Sequence, residues 1–275
     1  MSRVNSWEVS DVLWSRVEPL IPVPERDPTR IYQRKPGAGR KPLPARRVFA
    51  GILYVLRTGC HWKAVPRCLG SGSAIHACFQ RWEQAGVFAA LWRSGLADYD
   101  ELAGIAWDWQ SIDAAMVKAP LAQGAVGRNP TDRGKHGTKR HQLVDGRGVP
   151  LALVLTGANR HDVTQLGAVL DRVMAPRPTS GEQHLCADAA YGGRPAQETI
   201  VAHGYTPHVR PRGEEIKEKE SGHKARRWVV EAAHSWLNRF RKLLVRYEKK
   251  DENYIALIYI AFAIICWRKV WPIYG

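Results

Sequence analysis

Three acidic residues in the second half of the chain have the right chemistry to hold metal ions. Asp113 lies in the segment SIDAAMVKA, Asp188 opens the segment DAAY, and Glu231 lies in RWVVEAAHSWLNRFRKL. Carboxylate oxygens without a His or Cys cluster favour Mg²⁺ or Mn²⁺ over zinc. Two such ions about 3.5–4 Å apart can stabilise the attacking and leaving oxygens of a phosphodiester displacement. We therefore predict that these three residues bind two Mg²⁺ ions, for which Mn²⁺ can substitute.

Glu231 also has an ordinary structural explanation. The run from Arg226 to Arg246 has apolar residues at steps of three and four, which predicts a helix with one buried face. An acid close to such a face needs a partner, and Arg227 and His234 lie four residues before it and three after it. On this alternative Glu231 makes only an intrahelical ion pair. The apolar positions are Trp228, Val229, Ala232, Trp236, Leu237, Phe240, Leu243 and Leu244.

The elements around the two aspartates read as strands of one sheet. Alternating residues predict a strand over 106–117 that carries Asp113, and 184–187 is a short apolar strand that ends at Asp188. If these strands are neighbours, the two aspartates lie side by side. Asp145-Gly146 predicts a hairpin. The remaining predictions are strands at 142–144, 149–155 and 205–209, a basic glycine-rich loop at 127–141, and helices from 157 to about 174 and from 195 to 203.

The N-terminal part is predicted to be helical. Ser10 is a plausible cap for a first helix that Pro22 and Pro24 end. A basic, proline-rich arm follows at 25–43, and its Arg and Lys side chains resemble those that such arms lay along DNA. Helices are then expected at 45–58, from about Ser73, and at 88–102. The first two of these, with Gly59 in a tight connection, fit a helix-turn-helix, although a plain helical hairpin has the same pattern. We place a domain boundary near Gly104, between 1–104 and 105–275.

The charge of the chain suggests a polyanionic partner. The formal net charge is +15, and the excess lies in residues 1–85, 131–160 and 206–250. Phosphate neutralisation supplies most of the non-specific affinity for nucleic acid, so three basic blocks suggest a long polyanion such as nucleic acid as the partner. The alternative is a basic protein whose charge only aids solubility. The candidate DNA-binding residues are Arg40, Lys41, Arg46, Arg47, Arg81, Lys139, Arg140, Arg227, Arg239 and Lys242.

Cysteine usage and the apolar segments indicate a cytoplasmic protein without a membrane span. The five cysteines are odd in number and form no C-x-x-C pair, which is typical of reduced thiols. The first residues lack the apolar core of a signal peptide. The most apolar run, 254–267, is shorter than the roughly 20 residues that span a bilayer, so we expect a buried helix that stops at Pro272.

Three smaller features have competing interpretations. His161-Asp162 resembles a metal dyad, but the cap and first turn of the next helix is the favoured interpretation. Tyr191 can either pack under Asp188 or contact DNA. Trp62, with Trp107 and Trp109, is a candidate for base stacking.

Taken together and in order, these motifs resemble the DDE transposases of bacterial insertion sequences of the IS-five type, over nearly the whole chain. The segment ILYVLRTGCHWKAVP followed by FQRWEQAGVF is similar to the family's N-terminal DNA-binding region. SIDAAMVKA is similar to its first-aspartate segment, and KRHQLVDGRGVPLALVLTGANRHD to its hairpin strands. ADAAYGG matches the D-x-x-Y motif of the second aspartate, and RWVVEAAHSWLNRFRKL matches the glutamate helix.

The resemblance implies an RNase H-like α/β fold with a mixed sheet, in which Asp113, Asp188 and Glu231 are the catalytic metal ligands. A related signature, Y-(2)-R-(3)-E-(6)-K, is met only in part. Arg227 stands four residues before Glu231, but Lys224 replaces the tyrosine and Asn238 the lysine. Other residues, for example Arg239 or Lys242, can take the roles of the missing tyrosine and lysine. The 42 residues between Asp188 and Glu231 leave no room for a large insertion domain.

The implied activity is transposition in the bacterial cytoplasm, at the nucleoid. Such an enzyme binds the terminal inverted repeats of its element, hydrolyses the DNA end, and uses the freed 3′-hydroxyl to attack target DNA without a covalent protein intermediate. Its implied partner is double-stranded DNA, both the ends of the element and the target, on which it is expected to act as a homodimer or higher homo-oligomer. Two alternatives remain from the residues alone: an RNase H-like nuclease without strand transfer, and a helix-turn-helix regulator with an inactive second domain.

Overall fold

The described residues up to Ala103 form a set of helices, as the periodicity predicts. The computed structural model describes residues 7–23, 41–209 and 228–271, and single residues at 29, 31, 33 and 35. Ser10 caps the first helix by accepting a hydrogen bond from the Leu13 N–H at 3.2 Å, which confirms the predicted cap. The helices are α1 (Asp11–Val17), α2 (Ala45–Thr58), α3 (Gly72–Gln84) and α4 (Val87–Ala103), with a 3-10 turn at Glu18–Leu20.

The connection between α2 and α3 is longer than the tight one that the sequence suggested. Gly59 ends α2 in the left-handed conformation, at φ 75°, which glycine adopts without strain. The chain then makes a 3-10 turn at Trp62–Ala64 before α3 begins. The two-residue connection lies instead between α3 and α4, where Gly86 has φ 74°. A helix-turn-helix built on α2 and α3 with a short turn is therefore corrected to a longer, turn-bearing connection.

A six-stranded mixed sheet follows, which confirms the predicted α/β class with a mixed sheet. Strand β1 pairs antiparallel with β3, β3 pairs antiparallel with β4 and with the short β2, and β5 and β6 extend the other edge parallel to β1. The predicted hairpin is the β3–β4 turn. The strands are β1 (Trp109–Lys118), β2 (Gly127–Arg128), β3 (His136–Val144), β4 (Pro150–Gly157), β5 (His184–Ala187) and β6 (Thr206–Val209).

The remaining helices flank this sheet. They are α5 (Leu166–Leu170), α6 (Arg194–Ala202), α7 (Trp228–Asn238) and α8 (Asp251–Val270). Short 3-10 turns lie at Asp162–Gln165, Ala189–Tyr191 and Arg241–Leu243.

Three predicted elements have different bounds. The helix expected to reach about Met174 ends at Leu170. The run predicted as one helix to Arg246 ends at Asn238, because Phe240 adopts an extended conformation and buries its ring in the core. About half of the expected loop at 127–141 is strand, since Gly127–Arg128 form β2 and β3 begins at His136. Residues 226 and 227 lie outside the described part of the chain.

The C-terminal helix α8 packs in the core against α4. Gly95 permits this close approach, because a Cβ there would lie 3.2 Å from the Cα of Ala263. The helix is long and apolar enough to cross a membrane, with a mean hydropathy of 1.4, but 72% of its most apolar stretch is buried inside the protein. It therefore has the character of a core helix, as the sequence predicted, and one such helix is weak evidence for a membrane span.

The helical region and the sheet share one hydrophobic core. Buried residues of α2, α3, α4 and α8 form a single cluster with those of β1, β3, β4 and β5. Asp145, in the β3–β4 turn, is fully buried and accepts hydrogen bonds from the Tyr99 hydroxyl of α4 and the Ala106 N–H. A domain boundary near Gly104, where α4 ends, stays a prediction.

Candidate active site

Asp113 and Asp188 occupy equivalent positions on neighbouring parallel strands. The last registered pair between β1 and β5 is Ser111 with Cys186, and each aspartate lies two residues further along its strand direction. Asp188 directly follows β5 and caps the next turn by accepting the Ala190 N–H at 2.9 Å. Because parallel strands in register bring equivalent positions to one level of the sheet, this register favours neighbouring positions for the two carboxylates.

Helix α7 lies across the sheet on the side where Asp113 projects. His234 of this helix places Nε2 3.7 Å from Oδ2 of Asp113. Burial lowers the pKa of His234 to about 3, with the Arg140 charge adding to the effect, so the ring is neutral near pH 7. Within the described residues neither ring nitrogen has a hydrogen-bond partner. His234 is thus a buried polar group at the site, which the sequence suggested only as an ion-pair partner of Glu231.

Glu231 lies three residues before His234, on the same helix. Positions three apart are neighbours on a helix surface and differ by about 4.5 Å along its axis. Its side chain is exposed, whereas Val230, Ala233 and Leu237 are buried. The apolar face is also narrower than predicted, since Trp228 is 56% exposed. Glu231 therefore stands at the solvent side of the helix that covers Asp113.

Arg140 lies in the sheet beneath α7. It pairs across the β1–β3 ladder with Ala115, two positions from Asp113, and it is 1% exposed. Its Nη2 lies 3.4 Å from Oδ1 of Asn238, the residue that stands where the related signature has lysine. A buried guanidinium therefore lies near the position of the missing lysine. The sequence placed Arg140 on a DNA-facing loop, and its burial in β3 corrects that expectation.

Tyr191 packs beneath the carboxylates. It is 1% exposed, and among the described residues its hydroxyl has no hydrogen-bond partner. Burial raises the pKa of Tyr191 well above 10, and the charges of Asp162, Asp113 and Asp188 raise it further. The phenol therefore remains protonated and is surrounded by three acids. Packing, and not DNA contact, is the interpretation that this burial supports.

Lys139 is held by Asp162 next to this site. Lys139 Nζ lies 2.8 Å from Oδ1 of Asp162 and donates to the Arg160 carbonyl at 2.8 Å. Asp162 opens the 3-10 turn after His161, as the capping interpretation predicted. Lys139 is 7% exposed, so its predicted place on a DNA-binding loop is also corrected.

His141 is the third member of this cluster. Its Nδ1 lies 3.7 Å from the Asp162 carboxylate and its Nε2 2.8 Å from the Thr156 hydroxyl. Burial lowers the pKa of His141 to about 4; Asp162 opposes the shift and Lys139 favours it. His141 is thus neutral near pH 7, and the charge pair at this place is Lys139 with Asp162.

The donor set suits a hard divalent cation at the two aspartates. Asp113 and Asp188 offer oxygen ligands at adjacent strand positions, as Mg²⁺ and Mn²⁺ prefer. Over the described ranges, however, no group of three or more His, Cys, Asp or Glu side chains is close enough to hold a metal ion. A three-ligand centre that includes Glu231 is therefore not preassembled in this structure.

The other predicted DNA-binding residues divide by exposure. Lys41, Arg47, Arg81 and Arg239 are exposed, whereas Arg46 is half-buried and pairs with Asp11 at 2.7 Å. Lys242 is 6% exposed and lies 3.3 Å from Glu248, so it is an internal ion pair and not a surface cation. Arg40, Arg227 and most of the predicted arm at 25–43 lie outside the described residues.

Two family models match the chain. Residues 9–92 match the model described as a putative transposase of the IS4/5 family, and residues 108–266 match the model of the transposase DDE domain. The second match covers more than half of the 275 residues and includes all three candidate acids.

Two curated proteins of Burkholderia cepacia are similar in sequence. A putative transposase for insertion sequence element IS402 is 36% identical over 150 residues, which cover 53% of this chain and 70% of that protein. An uncharacterised 16.2 kDa protein of insertion element IS402 is 32% identical over 125 residues, covering 44% and 80%.

Among solved structures, a pre-cleavage Mos1 transpososome is 10% identical, with 87% of this chain and 82% of that chain covered and a TM-score of 0.27. The Mos1 mariner paired-end complex with Mn is 11% identical over 86% and 82%, with a TM-score of 0.26. At these scores nothing about this chain follows from either structure.

Proposed function

This chain belongs to the DDE transposases, enzymes that act on DNA, and from that membership we propose that Asp113, Asp188 and Glu231 are its catalytic carboxylates. The observation that supports the proposal is the parallel register of β1 and β5, together with the 3.7 Å approach to Asp113 of His234, which lies three residues after Glu231 on α7. Catalysis in the family depends on divalent metal ions. Here we propose two Mg²⁺ ions, which Mn²⁺ can replace.

The residues of the chain divide the work in this proposal. Asp113 and Asp188 would hold the cations from the sheet side, and Glu231 would complete the ligand set from α7. Bound divalent cations supply activation of the attacking oxygen and stabilisation of the leaving one. Tyr191, protonated and buried, supports the two aspartates from below. Arg140, close to Asn238, contributes a fixed positive charge beneath α7.

The proposed reaction has two steps at the same site. Hydrolysis of a phosphodiester at the end of the element releases a 3′-hydroxyl. That hydroxyl then attacks a phosphodiester of target DNA, so one bond forms as another breaks and no protein–DNA covalent bond is needed. Both steps displace an oxygen at phosphorus, and one constellation of carboxylates can serve both.

DNA binding is proposed for the exposed cations of the helical region and of the segment after α7. Lys41, Arg47, Arg81 and Arg239 are accessible to phosphates. We propose that residues 1–104 bind the terminal inverted repeats of the element, and that the protein acts as a homodimer or higher oligomer in the cytoplasm, at the nucleoid. Specific binding by this region should weaken steeply as salt increases, because its contacts release counterions.

A DNA-joining assay tests this function. The purified full chain is incubated with Mg²⁺, a DNA fragment that carries the element's own ends, and a plasmid target. A transposase gives products in which donor 3′ ends are joined to the plasmid. Cutting without joining would show an RNase H-like nuclease, and binding without cutting would show a regulator; either result would contradict the proposal.

A further inference from the structure

Tyr247 stands exposed between two cavities. The residue is 52% exposed, although it follows the fully buried Arg246. A cavity of about 550 Å³ lies on one side, between the helical region and the segment before α8. A second cavity, of about 410 Å³, lies on the other side, against the end of β1. Tyr247 is the residue that lines both cavities. Each volume is in the range of small-ligand sites.

The surroundings of Tyr247 are cationic. Lys242, Lys249 and Lys250 line the larger cavity with one acid, Glu248. Lys118 and Lys135 line the smaller cavity, also with one acid, Asp132. The two acids pair with Lys242 at 3.3 Å and with Lys118 at 3.5 Å. The exposed lysines Lys135, Lys249 and Lys250 therefore leave a net positive charge on both sides of the ring.

The backbone on either side of Tyr247 is anchored. The Arg246 N–H donates to the Lys118 carbonyl at 2.8 Å, and the Gln123 N–H donates to the Lys249 carbonyl at 3.0 Å. The Arg246 side chain is fully buried, donates to the Thr138 hydroxyl at 2.9 Å and pairs with Asp251. An exposed ring on so fixed a frame loses little entropy when a ligand packs on it, which favours binding.

Aromatic and amide side chains line the larger cavity. Trp62 is buried there, with its Nε1 donating to Glu248 Oε1 at 3.1 Å and its ring 4.8 Å from that of His76. Gln80, Gln123 and Asn253 also line this cavity and carry amides that can donate and accept hydrogen bonds. The candidate for stacking that the sequence suggested, Trp62, is thus internal, and Tyr247 is the accessible ring.

We propose that this place binds an unpaired nucleotide of a DNA strand, with its base stacked on Tyr247 and its phosphates beside Lys135, Lys249 and Lys250. An aromatic ring bordered by cations is the arrangement that holds single-stranded nucleic acid, because every base has a face that can stack. A continuous duplex offers no free base face, so the site distinguishes opened from paired DNA. The proposal rests on the proposed function, since it assumes that the enzyme opens the DNA, or receives unpaired DNA, near the ends of the element.

The test uses the full chain and two labelled DNAs, an oligothymidylate of about 12 nucleotides and a duplex of equal length, with binding followed by fluorescence anisotropy. Tyr247→Ala should weaken single-strand binding roughly 5-fold or more, while Tyr247→Phe, which keeps the ring, should not. Duplex affinity should be equal in all three proteins. Unchanged single-strand affinity in Tyr247→Ala, or an equal loss on both DNAs, would overturn the proposal.

Two variants that each remove one positive charge provide the matched control. Lys250→Ala should weaken single-strand binding and lower the salt dependence by roughly 0.7 in log–log slope. Arg172→Ala removes the same charge from an exposed position after α5 and should do neither. Equal effects of the two variants would mean that only overall charge matters and would overturn the site. A cavity that instead receives a second copy of the chain would change the sedimentation of Tyr247→Ala and leave single-strand binding intact, which also contradicts the proposal.

A third readout locates the contact. Oligothymidylate with one 5-iodouracil, irradiated in the complex, should crosslink to the peptide that contains Tyr247. Crosslinks only elsewhere would contradict the proposal. Failure of this proposal and failure of the proposed function can be told apart. If the Tyr247 variants bind single strands like the parent, the DNA-joining result still stands. If the protein does not join DNA, the single-strand binding measurements remain valid.

Discussion

The imidazole Nε2 of His234 lies 3.7 Å from Oδ2 of Asp113, and this proximity shows which face of the sheet helix α7 covers. It places the helix that carries Glu231 on the side of β1 from which Asp113 projects. A helix on the opposite side could not bring the three acids together. The position of α7 on this face is therefore a condition for a metal centre shared by the three acids.

Removing His234 should impair chemistry more than DNA binding. His234→Ala leaves a cavity under α7, so we expect it to lower the free energy of unfolding by roughly 1–3 kcal/mol. Because the helix then loses its contact with Asp113, cleavage should fall at saturating DNA while the Kd for DNA stays near that of the parent. The neighbouring Ser235→Ala, on the exposed side, is the control. Parent-like cleavage by His234→Ala would show that the contact does not position the helix.

Lys139 and Arg81 should behave in opposite ways. Lys139→Ala leaves Asp162 without its 2.8 Å partner, and we expect a loss of roughly 1–3 kcal/mol in the free energy of urea unfolding with little change in DNA affinity. Arg81 is exposed on α3, so Arg81→Ala should keep stability and weaken DNA binding, with about one unit less salt dependence. A Lys139→Ala protein of full stability and reduced DNA affinity would restore the loop placement that the structure corrects.

The buried turn of the β3–β4 hairpin should be a point of high sensitivity. Asp145 accepts hydrogen bonds from the Tyr99 hydroxyl and from the N–H groups of Ala106, Arg147 and Val149. Asp145→Ala leaves these donors without an acceptor. We expect it to lower the free energy of unfolding by roughly 3–5 kcal/mol. Tyr99→Phe removes one of the bonds and should cost about 1 kcal/mol. Equal costs, measured by urea unfolding, would contradict this account of the turn.

Stability should fall on acidification because of His141. Its folded-state pKa of about 4 lies below the ordinary value of 6.5, so the unfolded chain binds the proton more readily. Its contribution to stability is complete above pH 6.5 and is lost as the pH falls towards 4, by at most about 1.4 kcal/mol per pH unit. His141→Gln should make the unfolding free energy less steep in this window. An unchanged slope would show that His141 is not buried in its neutral form.

The sequence predicted the parts of the fold whose signals are local. Ser10 begins a helix through its side-chain hydrogen bond, and Gly59 ends one through its backbone angles. The strand that carries Asp113 and the strand that precedes Asp188 are bounded by turn residues. Those signals are sufficient because cap and strand preferences depend on neighbouring residues.

The burial of charged residues could not be predicted in this way. Lys139 and Arg140 read as a basic loop, because the partners that allow their burial, Asp162 and Asn238, come from distant segments. The sequence suggests His234 as an ion-pair partner of Glu231, although its place among Val230, Ala233 and Leu237 follows the period of the buried face. That spacing was the available signal. The polar character of the residue concealed it.

The most direct test of the central claim measures DNA cleavage and joining by Asp113→Asn, Asp188→Asn and Glu231→Gln in saturating Mg²⁺, with DNA binding measured in parallel. Each change keeps the shape of the side chain and removes one negative charge, so cleavage and joining should fall by several orders of magnitude while binding is retained or strengthened. If the Asp188→Asn and Glu231→Gln proteins cut and join donor ends at near the parent rate, these carboxylates are structural and the assigned mechanism is wrong.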